Sequence, residues 1–158
     1  MRLTSKQDID APIALVFKAL TDFDHWERAA LRRGAEVGRT DSLTKLGPGM
    51  AWFARFAFRG KTRELDLNVT KVTAPTQIKF AAQARVVTGD IQIELVEMSA
   101  KRTRILATAE IKPVTLGARL FLQSLRLARA RVDKKFDQRV AIFASEIKVR
   151  ANAGQATR

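Results

Sequence analysis

The chain has 158 residues, one histidine and no cysteine. That excludes disulfides, thiolate metal sites and cysteine nucleophiles, and it makes a single domain the expectation. Hydrophobic residues make up 46%, too many for a disordered chain, whereas the longest run of large apolar character, "VAIFA" at 140–144, is far too short to span a bilayer. Twenty-nine Lys and Arg against 16 Asp and Glu leave a net charge of +13, a balance that attracts nucleic acid, anionic membrane surfaces or acidic ligands. Most of those cations are interleaved with Asp and Glu, as on a solvated surface.

The opening "MRLTSKQDID" lacks the apolar centre of a signal peptide, so a soluble, cytoplasmic protein is expected. "RLTSKQDI" forms a first strand. "DAPIALVFKAL" follows as a helix, with Asp10 as its expected N-cap and Pro12 in its first turn. Ile13, Val16, Phe17 and Leu20 share one face of it. A second short helix carries "TDFDHWER" and runs to about Arg33. This stretch concentrates Asp22, Asp24, His25 and Glu27, which raises metal binding or proton transfer. At helical spacing those four groups do not converge on one point. Thr21 or Asp22 suits the N-cap, acids suit a first turn, and Phe23 and Trp26 share the buried face.

From Glu36 the period changes from 3.6 to 2. "EVGRTDS" makes a short strand, and Gly47, Pro48 and Gly49 mark a loop. Trp52, Ala54, Phe56 and Phe58 alternate on one face of the next strand. Leu65, Leu67 and Val69 follow, then Ile78, Phe80, Ala82 and Ala84. Ile91, Ile93 and Leu95 come next, and Ile105, Ala107, Ala109 and Ile111 last. Turns are expected at Gly60–Lys61, at "APT" (74–76) and at Thr88–Gly89–Asp90. Short strands broken by frequent turns indicate an antiparallel meander with one apolar face. Pro113 ends the last strand. From Thr115 the pattern predicts one long helix to about Arg150, with Leu125, Ala128, Val132, Phe136, Val140, Phe143 and Ile147 as its apolar stripe. The expected domain is therefore 1–150, followed by a flexible tail, 151–158. The fold class is α+β: a curved antiparallel sheet of about seven strands wrapped around a long C-terminal helix, with two short helices after the first strand. A sheet with one apolar face needs that helix to cover it.

This order, and the segments "IDAPIALVFKALTDFDHWE" (9–27), "LGPGMAWF" (46–53) and "FRGKTRELDLNVTKVTAP" (58–75), resemble the START-like superfamily, also called SRPBCC, in its polyketide cyclase/dehydrase-like branch. The resemblance spans about residues 3–148. It implies the helix-grip fold and a cavity between sheet and long helix that holds a small hydrophobic ligand, lipid- or polyketide-like. By the same analogy Trp26 and the loop 42–49 lie near the cavity mouth.

Five of the inward residues are alanines, which leaves volume that a tight core would fill with larger side chains. Phe121, Phe136, Phe143 and Trp52 are the residues that could fill it instead. The expected cavity residues are Trp26, Trp52, Ala54, Phe56, Phe58, Leu67, Phe80, Ala82, Ile93, Ala107, Ala109, Leu125, Val132 and Phe136. The inward strand faces carry no carboxylate, lysine, histidine or hydroxyl, so no catalytic residue is assigned. No metal or other cofactor is assigned either: there is no phosphate-binding glycine loop or zinc motif. Arg55 is expected on the convex face, with an acidic ligand head group as its alternative partner.

Three functions stay open. The first is binding, sequestration or transport of a small hydrophobic or amphipathic ligand. The second is a cyclase or dehydratase acting on such a ligand through one polar cavity residue and water. The third is a basic adaptor for anionic membrane or nucleic acid, using Arg119, Arg126, Arg129, Arg131, Lys134, Lys135 and Arg139. Those cations are spread around the helix and come with no base-stacking motif, so transient contact with an anionic membrane is preferred over nucleic acid.

Overall fold

A computed structural model describes residues 1–156. Its elements run β1 (Arg2–Ile9), α1 (Ile13–Leu20), α2 (Phe23–Arg32), β2 (Glu36–Arg39), β3 (Ala51–Phe58), β4 (Lys61–Thr73), β5 (Gln77–Ala84), β6 (Val87–Ser99), β7 (Arg102–Pro113), α3 (Leu116–Arg126) and α4 (Arg129–Ala156). The strands form one seven-stranded sheet in the order β1-β7-β6-β5-β4-β3-β2, and every neighbouring pair is antiparallel. This is the expected α+β helix-grip architecture.

The register shows why the alternation was a sound guide. Directly opposite residues share a face. Trp52 faces Leu67, Leu67 faces Ala82, Phe80 faces Ile91, and Ile93 faces Ala107. Each apolar set therefore meets another across the sheet. Arg55 takes the opposite face. It pairs with Glu36 at 3.1 Å and Glu64 at 2.9 Å on the exposed side, and so has no acidic head group to meet inside.

The core lies where α1 and α4 rest on β1, β7 and β6. Ile9, Val16, Ile105 and Ile147 are at most 1% exposed there. Thr103 is buried with them, and its hydroxyl donates to the Ala11 carbonyl at 2.8 Å. Trp52 and Met50 bring the loop before β3 into the same cluster. That loop is held by Asp41, whose carboxylate accepts from Arg39, from the Leu43 N–H at 2.9 Å and from the Ala51 N–H at 2.8 Å. These donors hold the Asp41 carboxyl well below the usual aspartate range, the Arg39 bond contributing most. Among the described residues no helix is long and apolar enough to cross a membrane.

Four local expectations change. Pro12, not Asp10, is the residue before α1, and no side chain caps that end. Pro12 needs no cap partner because its ring presets the backbone for the first turn. Asp10 instead sits 3.7 Å from Lys148 of α4. The turn expected at Thr88–Asp90 falls at Arg85–Val86. Thr88, Gly89 and Asp90 belong to β6 and pair with Lys112, Ile111 and Glu110. A Cβ on Gly89 would meet the Glu110 carbonyl at 3.4 Å, the edge of ordinary contact, so nothing in the strand pairing calls for a turn there.

The long helix is two helices. α3 ends where the Leu127 and Ala128 N–H groups bond back three residues, to Ser124 and Leu125, the tighter turn that closes helices. α4 restarts from the Ala128 carbonyl. Beyond the break, α3 packs against β7 while α4 packs on β1 and α1. α4 then runs beyond 150 to Ala156, and Ala151 is 2% exposed. Residues 151–156 are thus helical and anchored at Ala151, and the last two positions of the expected tail, 157–158, lie outside the described residues.

Candidate functional site

The site is built where α2 passes over the sheet. Asp22 caps α2, its carboxylate accepting from the His25 N–H at 3.4 Å. The helix then presents Phe23, Trp26 and Glu27, spaced i, i+3, i+4, on one face. Phe23 meets Trp52 edge-on with ring centroids 4.8 Å apart, and Phe80 at 6.3 Å. The Trp26 indole N–H donates to the carbonyls of Ala19 and Leu20, each at 3.1 Å, which ties α2 to the last turn of α1. Its ring lies 4.9 Å from Phe143 of α4. The Trp52 indole N–H donates to Glu27 Oε1 at 2.6 Å, and the Arg39 guanidinium lies 5.3 Å from the Trp52 ring.

Beneath this roof is a cavity of about 390 Å³ with walls almost wholly of carbon. α1 and α2 contribute Leu20, Phe23, Trp26 and Glu27. β2 and β3 contribute Val37, Trp52 and Ala54; β4 contributes Leu65 and Leu67. Phe80, Ile91 and Ile93 come from β5 and β6, and Phe143 from α4. A second recess, of about 550 Å³, lies at β1, β7 and β6 and is polar, with Arg2, Lys6, Glu94 and Asp137 on its walls.

Of the residues the sequence assigned to a cavity, Trp26, Trp52, Ala54, Leu67, Phe80 and Ile93 are together on this wall. The other eight lie elsewhere. Phe56 is half-buried opposite Arg63, and Phe58, at the hairpin tip, is 51% exposed. Ala82 faces Gly89, and Ala107 and Ala109 face Ser5 and Leu3 of β1. Leu125, Val132 and Phe136 are half-buried on α3 and the first turns of α4. Conversely, Leu20, Val37, Leu65, Ile91 and Phe143 are wall residues outside that assignment. Leu65 and Ile91 were legible as inward positions, and Phe143 belonged to the α4 stripe.

The inner surface is not free of polar groups. Glu27 reaches the cavity from α2 rather than from a strand. Ser5, 8% exposed, donates to Asp137 of α4 at 2.5 Å, and Gln7 donates to the same carboxylate oxygen at 3.0 Å. Asp22, His25 and Arg150 form a third group. Arg150 pairs with the Asp22 carboxylate and donates to His25 Nδ1 at 2.9 Å; a guanidinium can only donate, so that nitrogen is unprotonated. Burial, and then the Arg150 charge, hold the His25 pKa below its usual value. No set of three or more metal-ligating side chains is assembled among the described residues.

No family model matches the chain, and no curated protein matches it. Solved structures do. A Thermus thermophilus protein, TTHA0849, superposes with a TM-score of 0.70 at 12% identity, over 98% of this chain and 99% of that one. The Zhui aromatase/cyclase of a Streptomyces species superposes with a TM-score of 0.66 at 14% identity, over 96% and 93%. A START superfamily protein of Mycobacterium smegmatis superposes with a TM-score of 0.57 at 9% identity, over 87% and 97%. At these identities the likeness is one of fold. The chain has the START-like helix-grip fold.

Proposed function

We propose that this START-like, helix-grip chain binds a small hydrophobic or amphipathic molecule in the cavity under α2, so as to sequester or carry it. One observation carries the reading: a partly open cavity of about 390 Å³, roofed by aromatic side chains and lined by carbon, within the volume range of small-molecule sites. Binding draws on apolar burial, about 25 cal/mol per Å² before ordering costs are subtracted. The fold shared with an aromatase/cyclase and a START superfamily protein supports a ligand-holding role. Native mass spectrometry of gently purified protein tests it, with an apolar mass retained. Titration with a hydrophobic dye, read by Trp26 and Trp52 emission, should then saturate at one site. Ala54→Trp should fill the cavity and remove the response. A protein that is always empty and ignores the dye sinks the reading.

A second reading, a cyclase- or dehydratase-type reaction on the bound ligand, is favoured by the Glu27 carboxylate alone. Among the described residues it is the one acidic group on the cavity wall, where a proton-transfer group must be. Its Oε1 is engaged by Trp52 at 2.6 Å, leaving Oε2 for a ligand or water. Glu27→Gln preserves the acceptor and removes the base. Loss of turnover with retained dye binding supports this reading, and unchanged turnover of any substrate found removes it.

A further inference from the structure

Five of the most exposed large apolar residues fall in one short segment after β7: Val114, Leu116, Leu120, Phe121 and Leu127, between 44% and 92% exposed. α3 does bury a face, with Leu122 only 8% exposed. At 100° per residue, Leu116, Leu120 and Leu127 fall within about 40° of one another on the opposite, solvent side. Arg119 and Arg126 lie together on one side of this stripe, about 60–80° from Leu116. No acidic residue occurs between Ile111 and Val132. Among the described residues Arg129 has Asp133 as its partner, whereas neither Arg119 nor Arg126 has a carboxylate.

The β3–β4 hairpin tip adds a cation on the other side of α3. The Arg59 guanidinium lies 5.4 Å from both the Phe58 and the Phe121 rings. A helix with one apolar face seated on the body and a second one open, with arginines as the only charged residues on it, has the composition of an interfacial element. Two other occupants fit less well. A second copy across a twofold axis would set Arg119 and Arg126 against their own equivalents. A nucleic-acid backbone would be met by leucines in the middle of the contact, where phosphate offers them nothing.

We propose that α3 and the β3–β4 tip dock this protein onto anionic lipid bilayers. The leucine stripe enters the interface, and Arg119, Arg126 and Arg59 lie at headgroup level. The proposal does not depend on what the cavity holds.

The test is flotation of the full chain with vesicles of phosphatidylcholine, alone or mixed with phosphatidylglycerol. Wild type should float with the mixed vesicles and retain part of that binding at high salt, since apolar insertion is not screened. The triple variant Leu116→Ser/Leu120→Ser/Leu127→Ser should lose the salt-resistant part. Arg119→Gln with Arg126→Gln should weaken binding to the anionic vesicles about fivefold per charge. The absence of cysteine allows a reading that does not rely on those variants folding. An environment-sensitive fluorophore on Gln123→Cys should shift to the blue on vesicles. One on Lys101→Cys, in the β6–β7 turn at the far end of the strands, should not.

Binding that disappears entirely with salt and ignores the leucines would overturn docking, as would equal responses at 101 and 123. So would a concentration-dependent dimer that the triple variant abolishes, or DNA binding with no vesicle binding. Dye binding measured without vesicles reports the cavity separately, so either idea can fail alone.

Discussion

The two halves of the concave sheet were built from the same alternation and ended differently. Over β1, β7 and β6, α1 and α4 are seated directly on the strands, and Ile9, Val16, Ile105 and Ile147 are at most 1% exposed. Over β3, β4 and β5, α2 roofs the sheet without filling it. Ala54, Leu65, Leu67 and Phe80 are left half-buried around the cavity. A strand's period settles which side chains point inward. Whether they become core or cavity wall depends on what stands opposite, and here that is the path of the helices.

The largest test of this contrast is a pair of truncations. Ile147→Ala opens a void among close-packed neighbours and should cost about 2–5 kcal/mol. Leu67→Ala removes atoms that already face empty volume on one side, so roughly 1–2 kcal/mol is expected. Urea unfolding of both variants measures the difference. Equal costs would mean that the cavity wall packs as tightly as the core.

The polar strut across the cavity comes next. Glu27→Leu leaves the Trp52 indole N–H without its acceptor at 2.6 Å. That should cost about 1–3 kcal/mol, the penalty of an unmet donor. Glu27→Gln keeps an acceptor and should recover most of it. Thermal melts read the stability, and Trp52 emission reads the local change. If Leu and Gln behave alike, the strut contributes nothing to the roof.

These two halves were not equally legible. The sheet, its inward faces and the helix order followed from period and turn residues, because side-chain direction in a strand is fixed by parity. The turn before β6 was misplaced because Thr88, Gly89 and Asp90 have turn chemistry but pair in the ladder with Lys112, Ile111 and Glu110. The break at Leu127–Ala128 has no Gly or Pro to announce it. It shows only in the backbone, where the Leu127 and Ala128 N–H groups bond back three residues. The break takes Leu125 off with α3, and Val132 and Phe136 stand on the first turns of α4, which packs on β1 rather than on the strands that line the cavity. Glu27 was missed for a related reason: inward polar groups were sought on strands, and this one arrives on a helix. The signal was present in the i, i+4 spacing of Phe23 and Glu27.

The loop leading into β3 offers a smaller test with a direction in pH. Asp41 has its pKa lowered by Arg39 and by two backbone N–H groups, so the unfolded chain binds its proton more readily than the folded one. Its stabilisation is complete above the unfolded aspartate value, about pH 4, and is lost as pH falls through the lower folded value. Asp41→Asn should therefore be less stable than wild type at neutral pH, and the gap should close in acid. Paired melting curves across that window check this. A gap independent of pH would mean that the loop is held by shape rather than by charge.

The smallest expected effect is the most discriminating for where the cavity ends. Phe58 lies on the same face of β3 as Ala54, four residues on, or about 13 Å along the strand. Parity alone would put it in the cavity. The sheet and helices place it at the hairpin tip, 51% exposed, with Arg59 over its ring. Phe58→Ser should therefore change stability by no more than about 0.5 kcal/mol, as for surface positions without special contacts, and should leave dye affinity where it was. Ala54→Trp, on the same strand face, should abolish it. If Phe58→Ser weakens the dye as well, the bound molecule reaches the tip, and the cavity is longer than the space under α2. If it spares the dye but lowers vesicle binding, one strand face serves two surfaces: a wall at Trp52 and Ala54, and a membrane contact at Phe58.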